Sequence, residues 1–143
     1  MELKLRIILE KPVSGVVIGL QEGSGSFYQT IQKQQFEGKD LLFEFTLKVK
    51  SETDEFPVFL GAMAQGSPKE RFVYLDIGTA AGQFDSIWSR RLKVPLKSIT
   101  WEMIHQMQSL PQAVLEIKVP GTAKDGSPGC ATVKTPEGWK IVQ

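Results

Sequence analysis

The sequence predicts a mainly β domain of the α+β class, an antiparallel β-sandwich or partly closed barrel carrying one helix near residues 99–109. Three observations predict it. Apolar residues alternate with polar ones far more often than they recur at helical spacing, and alternation is the period of a strand with one buried face. Turn-forming clusters of Gly, Pro, Ser and Asp separate the alternating runs. A single segment late in the chain carries helical periodicity. Strands interrupted once by a helix do not make the strand–helix alternation of a parallel βαβ sheet.

The elements follow in order. In residues 3–9, Leu3, Leu5, Ile7 and Leu9 point one way. Residues 15–21 and 26–34 are shorter candidates, separated by the turn Glu22-Gly23-Ser24-Gly25. In residues 41–50, Leu41, Phe43, Phe45, Leu47 and Val49 form one face and Leu42, Glu44, Thr46, Lys48 and Lys50 the other. Residues 57–60 are a short run. Residues 71–77, Arg-Phe-Val-Tyr-Leu-Asp-Ile, are β-branched and aromatic, and residues 86–94 follow after Gly78-Thr79-Ala80-Ala81-Gly82. Ser98 or Thr100 can cap a helix whose Ile99, Met103, Ile104 and Met107 share a stripe and whose end Pro111 marks. Residues 112–119 alternate again, with Ala113, Leu115, Ile117 and Val119 on one face. Residues 130–134 and 139–142, joined through Pro136-Glu137-Gly138, suit a C-terminal hairpin.

The chain has 143 residues, 41% hydrophobic and 23% charged. Residues 1–143 therefore read as one folded domain with one core. Seventeen basic and 16 acidic residues leave a formal charge of +1. That balance argues against a nucleic-acid partner, which selects a basic domain. One cysteine and one histidine, Cys130 and His105, give neither an internal disulfide nor a tetrahedral zinc set. No metal and no cofactor is expected. The charges interrupting the first apolar run leave no signal peptide, no stretch is apolar enough to span a membrane, and there is no asparagine to glycosylate. These features point to the cytoplasm.

Several stretches stand out as distinctive motifs. They include Phe59-Leu-Gly, Gln65-Gly66, Arg71-Phe-Val-Tyr, Gly78-Thr-Ala-Ala-Gly-Gln and Trp88-Ser-Arg-Arg-Leu-Lys-Val-Pro-Leu. Ile99-Thr-Trp, Gly121-Thr-Ala-Lys-Asp-Gly-Ser-Pro-Gly-Cys-Ala-Thr-Val and Gly138-Trp139 follow, with a looser match at Gly19-Leu-Gln-Glu-Gly. On these residues the chain resembles domain of unknown function 5990. It departs at Gly61-Ala62-Met63, where the family pattern has a proline after the glycine. The resemblance implies a bacterial, cytoplasmic protein and carries no assigned activity.

The chemical motifs are sparse. Gly61-Ala-Met-Ala-Gln-Gly66 has P-loop glycine spacing, but Ser67 and Pro68 stand where Lys and Ser or Thr belong. Gly23-Ser-Gly-Ser lacks both the third glycine and the helix of a dinucleotide fingerprint. Asp125-Gly126 lacks the further acids of a calcium loop. Trp101 and His105 lie one helical turn apart and can stack. Cys130 reads as a packed thiol among small neighbours. The carboxylates Asp40, Glu44, Asp54, Glu55, Asp76 and Asp85 read as solvated charges and ion pairs. No catalytic residue is assigned.

The least ordinary feature is basic and aromatic. Lys69, Arg71, Arg90, Arg91, Lys93 and Lys97 surround Phe72, Tyr74 and Trp88. We read Arg71, Tyr74, Trp88, Arg90 and Arg91 as candidate ligand-binding residues of a non-catalytic binding or interaction domain, with a small anionic ligand. The alternative is a small β-barrel enzyme using a carboxylate or His105 as acid or base. If residues 86–94 form one unbroken strand, Trp88, Arg90, Leu92 and Val94 share a face. An inward Arg90 then needs Asp76 or Glu44 as partner, or an external anion held with Arg71 or Tyr74. Packing of one arginine into the strand is the plain reading of this group.

Overall fold

A computed structural model describes residues 1–11, 16–24, 27–35, 39–50, 57–60, 64, 71–81, 85–121 and 138–143. Cys130, the run 130–134, the turn 125–129, Asp54, Glu55, Lys69 and all of the Gly61–Gly66 loop except Ala64 lie outside the described residues.

The strongest alternations become the first sheet. Strand β1 (Glu2–Glu10) buries Leu3, Leu5, Ile7 and Leu9, each 3% exposed or less. Strand β4 (Leu41–Val49) alternates buried and exposed residues along its whole length. With β5 (Phe59–Leu60), β8 (Val114–Pro120) and β9 (Lys140–Val142) these strands form a sheet in the order β5-β4-β1-β8-β9. The pairs are antiparallel except β1 with β8, which run parallel. The run 139–142 therefore contributes an edge strand on β8.

The second sheet contains β2 (Val16–Ser24), β3 (Phe27–Gln35), β6 (Phe72–Ala81) and β7 (Asp85–Pro95), in the order β3-β2-β6-β7. Its inner face presents Ile18, Leu20, Val73, Leu75, Leu92 and Val94 to Leu5, Ile7, Phe43 and Leu115 of the first sheet in one continuous core. Each such buried side chain contributes roughly 1.5–3 kcal/mol relative to exposure. Of the two expected architectures the structure is thus the sandwich-like one, and the described strands close no barrel.

Helix α1 (Trp101–Gln108) links β7 in one sheet to β8 in the other. Of the two possible caps Thr100 is used: its Oγ1 accepts from the Met103 N–H at 3.2 Å. Ile104 and Met107 join the core. The sheets are also linked by a polar bond. Gln32 Nε2 on β3 donates to the Glu44 carbonyl on β4 at 2.6 Å, so a side chain satisfies a carbonyl on a strand edge that lacks a full neighbour.

Both sheet-two edge strands carry a bulge. Leu20 pairs with Gln32 and Gln21 with Thr30, leaving Ile31 unpaired on β3. Ile77 pairs with Arg90 and Gly78 with Trp88, leaving Ser89 unpaired on β7. Each extra residue inverts the alternation on one side of it.

Candidate functional site

The Ser89 bulge corrects the unbroken-strand expectation for residues 86–94. Position 90 keeps the phase of the buried Leu92 and Val94, opposite Ile77. Position 88 pairs with Gly78 and passes to the opposite face, so Trp88 and Arg90 do not share one. In the register neither Asp76 nor Glu44 stands opposite position 90. Asp76 pairs with Arg91, on the other face of the sheet. Glu44 points outward from the first sheet and binds Arg6.

The five candidates therefore divide. Tyr74 and positions 88 and 91 belong to the outer face of the second sheet. Arg71 and position 90 fall in the phase of the core. On the outer face, half-buried Phe72 and Tyr74 pack edge to face with centroids 4.8 Å apart. The Lys93 Nζ lies 4.7 Å from the Phe72 centroid. Buried Asp76 and Gln21 both have partners within the chain.

Arg71 is different. It directly precedes β6 and shares the inward phase of Val73 and Leu75, leaving it only 5% exposed. Its backbone continues the pairing with β7, the Leu96 N–H donating to the Arg71 carbonyl at 2.8 Å. Its guanidinium carbon lies 5.4 Å from the centroid of Phe59, a ring contributed by β5 of the other sheet. Nε and Nη1 are buried and meet no hydrogen-bond acceptor. Burial lowers the pKa of the guanidinium from its ordinary value. Arginine nevertheless remains a cation at neutral pH. A buried cation with two idle donors is an expensive feature unless an anion meets it. The residues alone do not mark Phe59 as its neighbour. The only sequence signal is its place in the stretch Phe59-Leu-Gly.

Two other places compare poorly with Arg71. An open hollow on the first sheet is lined by Lys4, Leu5, Glu44, Phe45, Thr46 and Val114. Beside it Arg6 Nε meets Glu44 Oε1 and Arg6 Nη1 meets Glu116 Oε2, each at 3.0 Å. Those charges satisfy one another. His105 is exposed on α1 and stacks on Trp101 with centroids 6.3 Å apart. Among the described residues no group of three or more His, Cys, Asp or Glu could hold a metal ion. No helix among them is long and apolar enough to cross a membrane.

Residues 3–142 match a family model described as a family of unknown function, DUF5990. No curated protein and no solved structure matches the chain.

Proposed function

The chain belongs to that family of unknown function, and from its own residues we propose that it is a non-catalytic domain that binds a small anionic ligand at Arg71. One observation carries the reading: Arg71 is buried to 5% exposure with Nε and Nη1 lacking acceptors. Natural proteins pair buried charges, because an isolated one is severely desolvated. An anion from outside supplies what the described residues do not. The Phe59 ring 5.4 Å from the guanidinium carbon adds an electrostatic contact that holds the cation in place without consuming its N–H donors. Tyr74 and positions 88 and 91 fall in the opposite phase of the sheet in the pairing register, so the reading centres on Arg71. The reading includes the bacterial, cytoplasmic setting that the family resemblance implies.

The test is retention of the ligand. Purified wild-type protein, denatured and examined by mass spectrometry, should release a small acid in about one-to-one ratio. Arg71→Met, prepared alongside, should release none. Equal release from both proteins would contradict Arg71 as the site.

A further inference from the structure

Resting on the Arg71 reading, we infer that the ligand is a monocarboxylate on an apolar body rather than a phosphate or a sulfate. The surroundings of the guanidinium decide this. The Phe59 ring that it meets is 8% exposed, and Leu96 and Val73, which flank Arg71 along the backbone pairing and along the strand, are fully buried. Among the described side chains no second cation meets it. One guanidinium neutralises one negative charge. A carboxylate offers two acceptor oxygens in a plane that matches the guanidinium fork. A phosphate or sulfate dianion would leave one charge uncompensated in a region of low dielectric. Its remaining oxygens would also be without donors. A planar carboxylate is moreover the smaller group to admit beside a side chain this deeply buried. The remainder of the ligand then meets the kind of wall that Phe59 and Leu96 present, which favours hydrocarbon.

The experiment is a set of thermal-shift titrations in chloride buffer with acetate, butyrate, hexanoate, benzoate, inorganic phosphate and sulfate. They are run on wild type, Arg71→Met and Arg71→Lys. Wild type should be stabilised saturably by the monocarboxylates, at least tenfold more tightly than by phosphate or sulfate. From acetate to hexanoate, each added methylene should tighten binding by up to about fourfold. Arg71→Lys keeps the charge but loses the planar fork, and should weaken binding at least tenfold; Arg71→Met should abolish it. Tighter, Arg71-dependent binding of phosphate or sulfate overturns the carboxylate inference and leaves the anion site standing. Stabilisation by none of the six, or stabilisation that survives in Arg71→Met, overturns both. Should Arg71→Met fail to fold, the Arg71→Lys titration and the Arg71 Nε–H resonance of wild type decide. That resonance should move on adding butyrate and not on adding sulfate.

Discussion

The Arg71 guanidinium carbon lies 5.4 Å from the centroid of Phe59, and the two residues come from opposite sheets. Arg71 leads into β6 and Phe59 sits on the two-residue strand β5. The contact therefore joins the layers of the sandwich at the proposed site. A desolvated cation over an aromatic face contributes about 2 kcal/mol. Phe59→Leu keeps apolar volume and removes the ring's quadrupole. It should destabilise the protein by about 1–2 kcal/mol in urea unfolding, and clearly less in an Arg71→Met background. Equal losses in both backgrounds would show that the ring serves packing alone.

Arg6 should be coupled more strongly to Glu116 than to Glu44. Both pairs measure 3.0 Å, but the Glu116 side chain is 15% exposed and that of Glu44 57%. Hydrogen bonding to Glu116 is also the largest influence raising the Arg6 pKa. Exposed pairs contribute about 0.2–1 kcal/mol, and charge-assisted bonds shielded from water more. Double-mutant cycles with Arg6→Met, Glu116→Gln and Glu44→Gln should rank Glu116 first. The Glu44 coupling should be the one that fades at high salt.

The short helix depends on its cap. Thr100→Ala removes the acceptor of the Met103 N–H and should cost about 1 kcal/mol. Thr100→Ser should restore most of it. The comparison is read from unfolding midpoints.

Near the last strand, Gly138 has φ of +65°, and a Cβ built there would meet Ser98 Oγ at an ordinary 3.6 Å. Space is available, so the cost of Gly138→Ala is conformational, about 1 kcal/mol. The adjacent Trp139 is 5% exposed and donates Nε1–H to the Pro95 carbonyl at 2.6 Å. Trp139→Phe should lose about 1 kcal/mol, since the part-buried Pro95 carbonyl loses its donor. A change below about 0.5 kcal/mol would mean that water replaces the bond.

Much of the fold could be read from spacing alone. In Leu3 to Leu9, Leu41 to Val49 and Ala113 to Val119 every odd-numbered position is apolar and buried, and every charge sits at an even-numbered one. Such strands have one possible inward face, because a one-residue shift would bury charges. The site was harder to read for the opposite reason. In residues 71–77 both faces carry apolar side chains, Val73, Leu75 and Ile77 on one and Phe72 and Tyr74 on the other. Alternation alone then cannot choose the core face, and Arg71 reads as readily wet as buried. The extra residues Ile31 and Ser89 leave no compositional mark, since a bulge is a matter of pairing between strands. One of them separates Trp88 from Arg90. The parallel pairing of β1 with β8 is likewise a contact between distant segments that local pattern does not contain.

The most direct measurement of the central claim is the stability of wild type and Arg71→Met in urea, with and without butyrate. Met fills similar volume and packs well against an aromatic ring. If Arg71 has no partner within the chain, Arg71→Met without butyrate should be at least as stable as wild type, and only wild type should gain when butyrate is added. A loss of about 3–5 kcal/mol in Arg71→Met without butyrate is the mark of a broken buried ion pair. That result would show the chain supplying its own anion to Arg71, contradicting the account.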